Sequence, residues 1–252
     1  MSKINFIAFN DEVFRDFTPP KPSSSFPPNW YKDMPNFYNY EKTEDQKKIG
    51  SNGNPNVTVK KCVPFRDSMF CGYMITTPFD CYFGRKNNKL IVNCSYEGEF
   101  QLIHEHDIEQ YFMYPIPEGY DAALLKWNNP WIIQTPRGWS TLFVSPMHQD
   151  LPFHSLSGLV DTDKHPAPIA FPFFIKKDFV GFLPKGTPFI QCIPIKRQNF
   201  VARITTNFDG FYYKWRKATT QALDRYKDYF HTPKSYKTIS QSKCPFSKLV
   251  NK

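Results

Sequence analysis

Residues 131–146 read W-I-I-Q-T-P-R-G-W-S-T-L-F-V-S-P, residues 158–163 read G-L-V-D-T-D, and residues 183–194 read L-P-K-G-T-P-F-I-Q-C-I-P. Short apolar runs bounded by Pro-Gly and Lys-Gly turns mark short strands, because glycine supplies a positive φ and proline cannot donate to a central ladder. The stretch from 131 to 197 therefore reads as one continuous β-rich unit with a glycine-acid turn in its middle.

Working outward, residues 3–9 (K-I-N-F-I-A-F) form a first strand that is apolar on both faces beyond Asn5 and so needs cover on both. Residues 18–28 (T-P-P-K-P-S-S-S-F-P-P) cannot pair as a regular strand. They read as an extended, polyproline-like crossing, part of a proline-rich segment over 18–35, that delivers Trp30 and Tyr31. Residues 41–56 are polar and glycine-containing and read as a surface loop. From Val57 the alternation resumes, giving consecutive antiparallel strands with turns at Arg66-Asp67, Asp80 and 85–88, and hence a second β layer. The spacing of Phe65, Met69, Phe70 and Tyr73 equally permits a short helix at the start of 66–74. A last helix is expected at about 211–230, where Trp215, Ala218, Ala222, Tyr226 and Tyr229 recur at helical spacing and Pro233 stops it.

With 252 residues and no repeat, the chain reads as one large β domain over 1–210 followed by a basic helix and tail over 211–252. An aromatic content of 17% favours strands, and 23 prolines against 11 glycines point to edge strands and rigid loops. The expected class is mainly β, with a two-layer β body and a C-terminal helix. Of the net charge of +9, residues 211–252 carry +8, so the body is nearly neutral. Such a basic end either solubilises and docks on the body or contacts polyanions.

The six cysteines include no C-x-x-C pair, and four are spaced nine to thirteen residues apart, as on adjacent strands. They read as reduced, buried thiols in a cytoplasmic protein. Met1-Ser2-Lys3 precedes no long apolar run, so neither a signal peptide nor a membrane span is expected. Nucleotide loops of the G-x-x-x-x-G-K and G-x-G-x-x-G types and a G-x-S-x-G elbow are missing from the sequence.

The order of pieces in 131–197 resembles the core of the dUTPase and dCTP-deaminase superfamily. The matching residues are Pro136-Arg137-Gly138, Gly158-Leu159-Val160-Asp161-Thr162-Asp163 and Gly186-Thr187-Pro188-Phe189-Ile190-Gln191, with Gly119-Tyr120-Asp121 similar to the first motif. The resemblance implies a dUTPase-like core (β-clip, or distorted barrel) over 119–200 and a homo-oligomer, a trimer with sites between subunits. In such a site Asp161 orients a water for attack on a nucleotide phosphate, with Asp163 and Lys164 beside it and magnesium held mainly by the substrate's phosphates. Tyr120, Ser145 and Gln191 then fall at ligand-binding positions. Three features depart from that pattern. Ser145-Pro146-Met147-His148 stands where the superfamily has an Arg-Ser phosphate strand, Lys164-His165-Pro166 replaces the aromatic-arginine-glycine sequence, and a glycine-rich C-terminal arm is missing. The whole chain is also similar to a family of tailed-phage proteins of the marine type, through 28–35, 58–65, Gly72-Tyr73-Met74 and the 131–197 block. That similarity implies the infected host's cytoplasm, or the virion.

Each candidate residue also has a plainer reading. Asp161 and Asp163 can simply hydrogen-bond turn amides. Gln191, polar on an apolar strand, either binds a ligand or bridges two backbones, and Arg197 and Lys196 end the same strand either solvated or against an anion. His104-Glu105-His106-Asp107 would put His104 and His106 on one strand face, as in cupin metal sites, or form a polar loop. Three functions follow as expectations: a dUTPase-like protein binding a nucleotide or related phosphorylated ligand; a non-catalytic phage structural or host-interaction protein on the same fold; and a cupin-like metal-dependent enzyme.

Overall fold

The computed structural model describes residues 2–38, 57–87, 89–205, 210, 212–213, 226–227 and 231–238. Among them fourteen strands form four antiparallel sheets, with only short helices between, so the chain is mainly β as its composition implies. No described helix is long and apolar enough to cross a membrane.

The five-stranded sheet runs in the order β11 (Gly158–Val160), β9 (Trp139–Val144), β14 (Pro188–Lys196), β3 (Tyr73–Thr76) and β2 (Lys21–Pro22). Its central strand β14 buries Phe189, Ile190, Gln191 and Cys192 in succession, the near-continuous run expected of a strand covered on both faces. Proline is tolerated at both ends of β14. Pro188 opens the strand, and Pro194 faces Thr141 of β9 beyond the point where pairing with β3 stops at Cys192.

The four-stranded sheet, β10 (Phe153–Ser155), β12 (Phe171–Ile175), β7 (Leu125–Trp127) and β6 (Ile103–Glu105), supplies the opposing layer. Trp127 stacks on Phe173 at 4.1 Å and on Phe189 at 5.1 Å, and Phe171 meets Phe143 at 4.8 Å. These rings join the two sheets, each contributing roughly 1.5–3 kcal/mol by burial. The second layer thus comes from residues 103–175 rather than from the segment after Val57.

Two smaller sheets complete the body. β1 (Asn5–Ala8) pairs with β8 (Trp131–Gln134), and β4 (Cys81–Lys86) lies between β13 (Gly181–Leu183) and β5 (Lys89–Cys94). The expectation of consecutive paired strands after Val57 holds only for the β4–β5 hairpin, since β3 belongs to the five-stranded sheet.

Residues 57–65 are not a strand. A 3-10 turn at Val59–Lys61 leads into a helix, which here becomes α3 after α1 (Asp11–Asp16) and α2 (Asn29–Asp33). α3 (Val63–Phe70) carries Pro64 in its first turn, where the missing N–H has no partner to lose. The proline crossing delivers Trp30 and Tyr31 on α2 as expected, although Lys21–Pro22 does form a two-residue bridge to β3.

The expected loop at 41–56 and nearly all of the expected helix at 211–230 lie outside the described residues. Residues 231–238 are described and dock on the body. His231 Nε2 lies 2.8 Å and Lys234 Nζ 3.0 Å from Asp67 on α3, Tyr236 packs edge-on against Tyr73, and the Thr238 hydroxyl donates to Pro20 O.

Candidate functional site

The chain leaves β8 through a tight turn in which Trp139 N–H donates to Pro136 O at 3.1 Å and Gly138 takes φ +84°. A positive φ at this third turn position demands glycine. The turn does not join two mutually paired strands: β8 pairs with β1, whereas β9 pairs with β11 and β14. After β11 the chain turns again, with Lys164 N–H and His165 N–H both donating to Asp161 O at 2.9 and 3.0 Å. Thr162 is buried at the centre of this second turn, its hydroxyl 2.8 Å from those of Thr135 and Thr141. With Thr162 pinned inward, Asp163 reaches the first turn at Gly138, Asp161 reaches Ser140 on β9, and both carboxylates meet the residue after β14.

Those carboxylates meet Arg197, the residue immediately after β14. Its Nη1 and Nη2 donate to Asp163 Oδ1 and Oδ2 at 2.7 and 2.5 Å, a two-pronged pair. Nη1 also lies 3.1 Å from Asp161 Oδ1 and donates to Trp139 O at 3.0 Å. Ser140 Oγ donates to Asp161 Oδ1 at 2.7 Å, and Gly138 N–H donates to Asp163 Oδ2 at 2.8 Å. The side chain of Asp163 is 3% exposed and that of Asp161 49%.

The electrostatic result is a node holding two carboxylates against one guanidinium. The Arg197 hydrogen bonds, followed by that from Gly138 N–H, hold the Asp163 carboxyl well below the usual carboxylate range. The Ser140 hydroxyl, with Arg197 adding to it, lowers that of Asp161. Asp163 in turn raises the guanidinium. A base that activates water works best with its pKa near the working pH, and a carboxylate pulled down is weakened for that task. Neither oxygen of Asp163 is unengaged, so toward a magnesium ion the turn offers only Asp161 Oδ2, and the phosphates would have to supply the other ligands.

The other expected ligand residues are not gathered here. Arg197 follows Lys196, which faces Trp139, while Gln191 faces Val144 at the other end of the same strand pair, a separation of roughly 17–20 Å at the strand rise. Gln191 is 0% exposed, and its amide is committed to backbone. Nε2 donates to Ser68 O at 3.1 Å and Cys71 O at 2.8 Å, and Oε1 accepts from Met147 N–H at 3.1 Å. It bridges two backbones, tying the end of α3 to the loop after β9. Ser145 Oγ accepts from Ser155 N–H at that same end of β9. Tyr120 bridges to Lys176 just past β12, beside the ion pair of Asp121 with Arg85 at 2.6 Å. Lys164 is exposed next to Asp163.

His104 lies on β6 and His106 just beyond it, where His106 N–H donates to Leu124 O. A cleft of about 500 Å³ includes His104, Glu12, Glu99, Phe9, Phe100 and Gln101 in its lining. Among the described residues no group of three or more His, Cys, Asp or Glu side chains is placed to hold a metal ion. His148 packs at a tilt against Phe65, ring centroids 4.0 Å apart, with Nε2 3.2 Å from Ser68 Oγ.

Sequence reasoning leaves Arg197 either solvated or against an anion, and does not assign it to Asp163. It stands 34 residues from Asp163 in the chain, and only the antiparallel return of β14 beside β9 brings them together. Comparison with known proteins found no matching family model, no similar curated protein and no similar solved structure.

Proposed function

We propose that this chain is a non-catalytic structural or host-interaction protein, of tailed-phage type on a dUTPase-like fold, whose acidic turn stabilises the fold instead of processing a substrate. The observation that carries the reading is the saturation of Asp163, and of one Asp161 oxygen, by Arg197, Ser140 and Gly138. A phosphorylated ligand needs cations to spare, and the guanidinium at this turn is already outnumbered by carboxylates.

The working surface in this reading is the loop after β6, where Phe112 is 81% and Met113 86% exposed, with Tyr114 and Ile116 also exposed. Exposed apolar groups clustered on one loop suit a protein partner or a further copy of the chain. The basic stretch 211–252 adds contact with polyanions.

The test is a thermal melt of the full chain with dUTP, dCTP and magnesium, paired with an assay for released pyrophosphate. No stabilisation and no release are expected. Stabilisation by several degrees that Asp161→Asn abolishes would overturn the reading. It would favour nucleotide hydrolysis at Asp161, which the half-exposed side chain and its unengaged Oδ2 support.

A further inference from the structure

Cys81 and Cys94 stand directly opposite each other on β4 and β5. The neighbouring pair decides what kind of position they occupy. Ser95 N–H donates to Asp80 O at 2.8 Å, which makes Asp80 and Ser95 a hydrogen-bonded pair and places Cys81 and Cys94 at the adjoining non-hydrogen-bonded site. At such sites the strands bring side chains closest, with Cα atoms about 4.5 Å apart. That lies within the range of about 4.4–6.8 Å that a disulfide requires. The two sulfurs are 2.8 Å apart, nearer than unbonded thiols rest in a packed core.

We propose that Cys81 and Cys94 are a disulfide-forming site, closed by thiol–disulfide exchange with a small peptide disulfide of the glutathione class. Cys94 is half-buried and Cys81 fully buried, so Cys94 meets the reagent and Cys81 resolves the intermediate. The neighbouring Cys81 thiol lowers the pKa of Cys94, whereas the Cys81 thiol is itself pushed up by that contact and by burial. A cleft of about 310 Å³ lined by Asp80, Ser95, Phe79 and Tyr96 opens at the chain neighbours of both cysteines.

In the first step the Cys94 thiolate attacks one sulfur of the small disulfide, forming a mixed disulfide and releasing one thiolate. In the second, Cys81 gives up its proton and attacks Cys94 Sγ, displacing the second small thiolate. Two protein thiols are oxidised to one disulfide, one small disulfide is reduced to two thiols, and the two protons lost by the cysteines end on the released thiols. The product staples the β4–β5 hairpin, whose ends are covered by Phe79 stacked on Tyr96 at 4.7 Å.

The test equilibrates the full chain with oxidised glutathione, blocks remaining thiols with iodoacetamide under denaturing conditions and digests with trypsin. Arg85, Lys86 and Lys89 separate the two cysteines, so a bond between them appears as two joined peptides two hydrogens lighter than their sum. The expected result is Cys81–Cys94 as the dominant linkage, with the oxidised protein melting about 5–10 °C above the reduced protein. Cys94→Ser should abolish both the linked peptides and the oxidant-dependent rise, leaving exposed Cys62 as reactive as before. Recovery of Cys94 alkylated or capped by glutathione, without Cys81 attached, would overturn the proposal, as would any other dominant pairing of Cys81.

Discussion

Replacing Gln191 with leucine tests whether a single amide closes the end of α3. The helix stops at Phe70 with Cys71 already extended and without a capping backbone N–H, so its last carbonyls need donors from elsewhere. Gln191 supplies them to Ser68 O and Cys71 O while accepting from Met147 N–H. Leucine keeps the volume but removes these bonds together with the longer one from Nε2 to Met69 O at 3.4 Å. Ser68 O retains a weak donor in the Cys71 thiol at 3.2 Å, which leaves Met69 O, Cys71 O and Met147 N–H without their Gln191 partner. At about 1–3 kcal/mol for each buried group left without a partner, the loss should be about 3 kcal/mol. For a chain of this size that corresponds to a melting temperature lower by about 6–12 °C. Calorimetry or a circular-dichroism melt reads this directly, and urea unfolding should show a lower midpoint at unchanged slope. A drop of less than about 2 °C would mean that water or relaxed backbone satisfies these groups and that Gln191 is not a structural bridge.

Gly72→Ala should destabilise by about 3 kcal/mol or more or yield no folded protein, because the new Cβ would lie 2.0 Å from Cys192 O at φ +71°; soluble expression with a wild-type melt would refute this. Asp163 has a depressed pKa, so its contribution to stability is complete above the unfolded value of about 3.9 and is lost as pH falls from there through the lower folded value. Asp163→Asn should accordingly lower the urea midpoint at pH 7 and flatten its decline between about pH 5 and pH 2; parallel curves would remove Asp163 from the account. Tyr236→Ala should release residues 231–238 from Tyr73, seen as faster tryptic cleavage at Lys234 and Lys237, at a cost to the body of only about 1 kcal/mol. Unchanged cleavage rates would show that the Asp67 contacts hold the segment alone.

The β class, the glycine turns at Gly138 and Gly186 and the strands around the acidic turn were legible because each is written in local chemistry. Gly186 takes φ +87° where Lys-Gly marks a turn. Gln191 was legible as a buried polar residue for the same reason. The segment after Val57 was not, since Val59, Cys62 and Val63 suit a strand while Pro64 suits the first turn of a helix, and tertiary packing decides between them. The sequence leaves Arg197 open between a solvated strand end and an anion, because nothing within a few residues needs a cation. Its partners arrive from a turn that is distant in sequence, and a single chain records no such pairing. Docking of the basic end on the body is one of the two readings open in the sequence, but the residues that make it are not legible there, for the same reason: a run of lysines looks the same whether it ends in water or on Asp67.

The place of β14 at the middle of the five-stranded sheet sets the order of events during synthesis. β3 and β9 leave the ribosome early, separated by more than sixty residues, and neither has the other as a neighbour: the strand that joins them runs from Pro188 to Lys196. Until it emerges, both expose unpaired edges and the apolar faces that Phe189 and Ile190 later cover. Closure of the sheet therefore waits on β14, the last of the described strands, and a nascent chain stalled before residue 188 lacks the centre of this sheet. Chaperone occupancy of ribosome-bound chains should peak over that interval and fall once β14 is free to slide between its two partners.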